Sequence, residues 1–321
     1  MITLAYINFW SDPDNDSYFT DFINHNIGQV KLVNYNENPD ILITTVFGNI
    51  NIIKNIRAKC KLFYYGENLN RYPSYNNEQV LIDTFDLIVG FKYTNIEKKQ
   101  IRFPLWLMYY KFYNYTPEYN LIEYIEKKYK ENKENKKNQK TLFATLVARH
   151  DREGQRTKIC NEIENYINNT TSTTSSTTNT NTITNYKIMY PGLFRHNIGP
   201  NNTIGATSKD KITYISQGIY NICPENSEFE GYFTEKILQA FEAGTIPLYW
   251  AIDLPEKHLI NENKYCFCNI NNPVELKEQI NKAMTHPEYY LEGNIFTEEA
   301  PTILCNYYNT LISNIKIKLN L

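Results

Sequence analysis

The sequence predicts an α/β protein with two parallel-sheet domains facing a cleft. Three observations support that class. Short apolar runs of strand length end in polar residues or glycine, and segments with helical spacing fall between them. The alternation also occurs twice, on either side of a strongly hydrophilic run. A length of 321 residues suits about two domains of ordinary size.

In the first half the strands read as ITLAYINFW, QVKLVNY, DILITTVF, KLFYYGEN and DLIVGF, with a helical segment around Tyr18 to Asn26. The run EKKYKENKENKKNQK (126–140) lacks an apolar stripe and reads as the end of a helix plus a solvated interdomain linker. Beyond it, KTLFATLVA, YKIMYPG, YNICPEN and IPLYWA read as buried strands. REGQRTKICNEIENYI, KDKITYISQG and FTEKILQAFEAG read as helices. The stretch NNTTSTTSSTTNTNTITN (168–185) can bury almost nothing and reads as a mobile, disordered insertion. The domains expected are therefore 1–135, 136–300 and a C-terminal helix over 301–321 that is able to cross back to the first domain.

Composition excludes several classes. A hydrophobic fraction of 42% is enough for buried cores, and a net charge of −2 offers no basic field for nucleic acid. The six cysteines show no paired metal spacing and read as reduced, buried thiols. MITLAYINFW lacks a charged leader and reads as a strand, and no stretch approaches the roughly 20 apolar residues of a membrane span. A soluble, cytoplasmic protein is expected. SDPDNDSY suggests a metal loop but lacks the glycine at loop position six and places Ile23 at position twelve. The five histidines lack ligand spacing, so no metal site is expected. Neither a dinucleotide-binding glycine fingerprint nor a P-loop is present.

One position stands out against this background. In PENSEFEGYFTEKILQAFEAGTIPLYW (224–250), Ile237, Leu238 and Phe241 have helical spacing and Gly244 suits a left-handed cap. Lys236 then sits in the first helical turn, where the backbone dipole repels a cation. The helix start lies beyond the carboxyl end of a strand, where such sheets bind ligands. Either Lys236 is an exposed side chain tolerated at small cost, or an anion such as a diphosphate meets it there.

The same stretch resembles the signature of the α1,3-fucosyltransferases, glycosyltransferase family ten. Glu225, Asn226, Tyr232, Thr234, Glu235, Lys236, Pro247, Tyr249 and Trp250 fit that pattern without a gap, with Phe233 and Ala251 as mild departures. YINFWSD, LFYYGENLNRYPSY, FDLIVGFKY…IRFPLWLMYY and TLFATLVARHDREGQRTKICNEI are similar to further family blocks, so the likeness covers most of the chain. Ala148-Arg149 replaces the family's Ser-Asn pair, and YPGLFRHNIG is a loose match to a glycine-rich turn. The resemblance implies two Rossmann-like domains in the GT-B arrangement. It implies inverting transfer of fucose from GDP-fucose to a glycan hydroxyl, in an α1,3-type linkage, with the acceptor mainly on the first domain. By the same resemblance Glu67 is the general base, and Arg156, Asn226, Tyr232, Glu235 and Lys236 hold the nucleotide sugar.

These residue types suit that chemistry. The attacking hydroxyl loses a proton to a carboxylate, and the leaving diphosphate gains charge that cations stabilise. Arg149, Arg152 and Arg195 are alternatives to Arg156 as phosphate ligands. With those cations, no metal cofactor is obligatory, leaving Mn²⁺ or Mg²⁺ a stimulating role. Two alternatives remain from sequence: a transferase of the same fold using another nucleotide sugar, and a glycan-binding protein that has lost turnover.

Overall fold

Leu62 and Tyr64 belong to one apolar cluster and Phe63 and Tyr65 to another, so a single run of sequence feeds two cores from opposite faces of its strand. The computed structural model describes residues 1–10, 18–93, 99–135, 140–173, 187–198, 204–205, 210–253, 256 and 258–321. Its first sheet contains β1 (Ile2–Ile7), β2 (Val30–Leu32), β3 (Ile41–Thr44), β4 (Cys60–Tyr64), β5 (Leu87–Gly90) and β6 (Gln100–Arg102). They lie in the order β2-β1-β3-β4-β5-β6, and every pairing is parallel. Helices α1 (Tyr18–Asn26), α2 (Ile50–Asn55) and α3 (Glu78–Thr84) supply the crossovers, and α4 (Leu105–Tyr109) follows β6.

Helix α5 (Leu121–Asn135) leads to the second sheet of β7 (Leu142–Thr145), β8 (Ile188–Met189), β9 (Gly218–Ile222), β10 (Ile246–Tyr249) and β11 (Cys266–Phe267). Its order is β11-β10-β9-β7-β8, again parallel throughout. The helices here are α6 (Gln155–Thr173), α7 (Lys211–Ile215), α8 (Lys236–Glu242) and α9 (Pro273–Thr285). In each sheet the first strand pairs with the second on one side and the third on the other. The connections diverge at that strand and leave a crevice at its carboxyl end, the usual ligand position.

The last helix, α10 (Ala300–Leu319), returns to the first sheet. Leu304, Tyr308, Leu311 and Ile315 fall on one helical face and join the cluster of Leu62, Tyr64, Ile101 and Phe103. Polar contacts also bind the halves. Buried Arg102 on β6 pairs with buried Glu256 and donates to the Gly231 carbonyl and, over 3.2 Å, to the Tyr307 hydroxyl. Asn68 Nδ2 donates to Ser227 Oγ and the Glu228 carbonyl, each at 3.1 Å.

The hydrophilic run from residue 126 begins as the end of a helix, as expected, since α5 continues to Asn135, and that part packs against the second domain. Tyr129 is buried and lies 6.4 Å, ring to ring, from Phe241 of α8, while Asn132 Nδ2 donates to the Glu242 carbonyl at 2.7 Å. Leu121, Ile125 and Tyr129, four residues apart on α5, are all buried in one apolar cluster, so a face that begins before the run docks its helix. The Thr-rich insertion begins later than expected, because α6 runs on to Thr173; residues 174–185 of it lie outside the described residues. Gly244 has φ +68°, as expected of a left-handed cap.

Candidate active site

The loops after β7 and β9 leave their sheet in opposite directions, and a cavity of about 280 Å³ opens between them. Leu146 to His150 form one wall, and the segment from Ile222 through Lys236 supplies another. The first domain closes the cavity with Glu67, Leu105 and Tyr109. All six residues singled out in the sequence line it: Glu67 from beyond β4, and Arg156, Asn226, Tyr232, Glu235 and Lys236 from the second domain.

Glu67 stands three residues beyond Tyr64, the end of β4's register with β5, and is half-buried. Burial raises its carboxyl above the usual glutamate range, against the opposing pull of Lys236 and Arg71; Glu235 adds to the rise. Arg71 holds the same loop to the second domain by donating to Glu153 Oε1 at 2.7 Å and to the Asn226 carbonyl at 3.3 Å.

Arg156 occupies the first turn of α6 and is buried. Its guanidinium donates to the His150 carbonyl and, at 2.5 Å, to Asn226 Oδ1, which fixes the fork at the mouth of the β7–β9 crevice. Of the other arginines considered, Arg149 lines the cavity, and Arg195 is engaged with Glu164 and Asn161. His196 places Nδ1 3.0 Å from the Gly192 carbonyl oxygen and does not line the cavity. Tyr232 packs its ring 4.8 Å from Phe91, and the preceding Gly231 has φ +69°. A Cβ at Gly231 would stand 2.3 Å from the Phe91 carbonyl oxygen, so only glycine lets this loop lie against the first domain.

The setting of Lys236 differs from the expectation that a phosphate alone makes it tolerable. Its Nζ lies 2.8 Å from Glu225 Oε2 and 2.6 Å from Thr234 Oγ1. Glu225 is fully buried and also accepts from the Thr234 amide, the Thr234 hydroxyl and, at 3.2 Å, the Tyr249 hydroxyl. A buried carboxylate therefore offsets the cost of a cation at a helix start. Sequence reasoning left Glu225 outside the site, although it directly precedes Asn226. It also missed Lys211, a buried lysine on the cavity wall.

Among the described residues, no group of three or more His, Cys, Asp or Glu side chains is placed to hold a metal ion. Most of SDPDNDSY lies outside the described residues. Five of the six free cysteines are buried, and Cys305 is partly exposed. No described helix is long and apolar enough to cross a membrane.

Two all-parallel sheets sharing a cleft define a two-domain α/β protein of GT-B architecture. In sequence and fold the chain is similar to α1,3-fucosyltransferases. Residues 4–109 match the family model of the alpha-(1,3)-fucosyltransferase FucT N-terminal domain. The Helicobacter pylori alpha-(1,3)-fucosyltransferase FucT is 25% identical over 309 residues, covering 91% of this chain and 59% of that protein. A crystal structure of an α1,3-fucosyltransferase superposes with a TM-score of 0.71 at 21% identity, over 100% of this chain and 90% of that one. The same enzyme type solved with GDP-fucose gives 0.67 at 21% identity with the same coverage. Anabaena HepE with UDP and glucose gives 0.51 at 8% identity, covering 99% and 98% of the two chains.

Proposed function

We propose that the chain is an inverting fucosyltransferase that moves fucose from GDP-fucose to a hydroxyl of a glycan acceptor. The observation carrying this reading is the placement of Glu67 from one domain and Arg156 and Lys236 from the other around a single cavity. The family and the GDP-fucose complex of a structural neighbour favour this donor.

In the reaction, an acceptor hydroxyl oxygen attacks the anomeric carbon as Glu67 takes its proton. The new C–O bond forms as the bond from carbon to diphosphate oxygen breaks, and the electron pair leaves with GDP. The sugar becomes oxocarbenium-like at the transition state, by analogy with glycoside hydrolysis. Arg156 forks to the phosphate oxygens and Lys236 adds a point charge, both preorganised before the charge develops. Asn226 orients the Arg156 fork, Tyr232 shapes the wall, and Glu235 accepts from ribose hydroxyls. No metal is needed for this charge balance, and Mn²⁺ or Mg²⁺ has at most a stimulating role.

A titration panel of GDP, UDP and their fucose and glucose conjugates tests the donor. Binding is expected for GDP and GDP-fucose, with NMR of the fucosylated glycan showing the anomeric configuration opposite to that of the donor. Binding of UDP in preference to GDP would transfer the reading to another nucleotide sugar. Donor binding without transfer to any glycan would favour a glycan-binding role.

A further inference from the structure

Lysines are rarely buried without a carboxylate or a set of carbonyls around them. Lys264 follows that rule: its Nζ reaches the carbonyls of Glu292 and Gly293 at 3.1 and 3.2 Å and the Tyr129 hydroxyl at 3.4 Å. Lys236 follows it through Glu225. Lys211 does not. Only 7% of Lys211 is exposed, yet its three-donor ammonium has one described acceptor, Gln239 Oε1 on α8 at 2.5 Å. It forms no ion pair among the described residues.

The surroundings say what this charge faces. Lys211 lines the same cavity as Arg156 and Lys236, and Gln239 lines it too. Four cationic side chains, Arg149, Arg156, Lys211 and Lys236, stand on that lining against two carboxylates, Glu67 and Glu235. Glu235 is the acidic group that acts most strongly on Lys211, and the Lys236 charge opposes it. Glu225 behind the wall offsets Lys236, and four cations still exceed three carboxylates; among the described residues the Lys211 ammonium and the Arg156 guanidinium hydrogen-bond only to neutral oxygens. Desolvation already pulls the Lys211 ammonium below its ordinary range, a cost that an incoming anion removes.

We propose that Lys211 is a further ligand of the nucleotide diphosphate, approaching from α7 while Arg156 and Lys236 approach from α6 and α8. This inference rests on the donor reading given above. A neutral alternative, in which Lys211 only fastens α7 to α8 through Gln239, predicts a different pattern of losses.

Calorimetric titration of the full chain with GDP and with guanosine separates them, using wild type, Lys211→Met, Lys211→Arg and Gln239→Leu. A charged hydrogen bond to phosphate implies that Lys211→Met weakens GDP binding about tenfold or more. Guanosine, which has no phosphate, should bind Lys211→Met and wild type alike. Lys211→Arg should restore GDP affinity to within about threefold, since it keeps the charge. Gln239→Leu should have a small effect. Unchanged GDP affinity in Lys211→Met, a parallel loss of guanosine, or the same loss in Gln239→Leu would each overturn the proposal. If Lys211→Met does not fold, Lys211→Gln takes its place with the same expected outcomes. Failure of wild type to bind GDP would remove the donor reading, and with it this inference.

Discussion

Lys236 Nζ and Glu225 Oε2 lie 2.8 Å apart, the carboxylate fully buried and the ammonium at the cavity wall. The pair has two faces. Glu225 ties together the Thr234 amide, the Thr234 hydroxyl and the Tyr249 hydroxyl, so it sets the loop that leads into α8. Lys236 carries the charge of that assembly to the surface of the cavity.

Removing one partner should therefore have separable costs. Lys236→Ala leaves Glu225 buried without its cation and should destabilise the fold by about 3 kcal/mol in urea denaturation. The double variant Glu225→Gln with Lys236→Met removes both charges and should recover a large part of that loss. It should not recover GDP affinity, because the cation facing the diphosphate is still missing. Recovery of both properties together would mean that Lys236 acts only through the fold.

Glu67 is expected to fail differently. Glu67→Gln keeps the shape and most hydrogen-bonding capacity but cannot take a proton, so turnover should fall by roughly 10² to 10⁴. GDP affinity should stay near wild type, since the proposed phosphate ligands come from the other domain. Stopped transfer with normal nucleotide titration is the result that supports the assignment. Loss of GDP binding in Glu67→Gln would place this carboxylate among the donor contacts instead.

Much of this architecture is legible in the sequence, because apolar runs such as KLFYY mark buried parallel strands directly. β6 is not legible. Its Gln100 and Arg102 look like surface residues, yet both are buried, Gln100 by donating to the Tyr65 hydroxyl at 3.0 Å and Arg102 by pairing with Glu256. Such burial depends on partners far away in sequence, which no local pattern reports. The docking of α5 is hidden for a similar reason, since Tyr129 is its one large buried residue within a charged run. At the site, the resemblance to the α1,3-fucosyltransferase pattern picks out Glu67, Arg156 and Lys236, which line one cavity. The role of Glu225 becomes visible only when the fold closes an eleven-residue separation.

Charge balance also governs metal dependence. With Arg156, Lys211 and Lys236 on one cavity and no metal-ligand cluster among the described residues, transfer should persist in EDTA at a rate within a few-fold of the untreated rate. Complete loss in chelator, restored only by Mn²⁺ or Mg²⁺, would show that the side-chain cations are insufficient.

The pH profile should report Glu67 directly. A general base works only when deprotonated, so kcat/KM should fall as pH drops through its pKa. Burial raises that pKa, so the acid limb should lie above the usual glutamate range. Arg71 pulls the other way, and its partly exposed pair with Glu153 contributes little to stability. Arg71→Met should therefore move the acid limb to higher pH while leaving the fold intact. The same raised pKa means the folded state holds this proton more tightly than the unfolded chain does. Its contribution to stability is full below the unfolded value and is lost as pH rises through the folded one. Measuring kcat/KM across the acid range for wild type, Arg71→Met and Glu67→Gln decides the assignment. An acid limb that survives in the residual activity of Glu67→Gln, or that stays in place in Arg71→Met, would assign the base to another group.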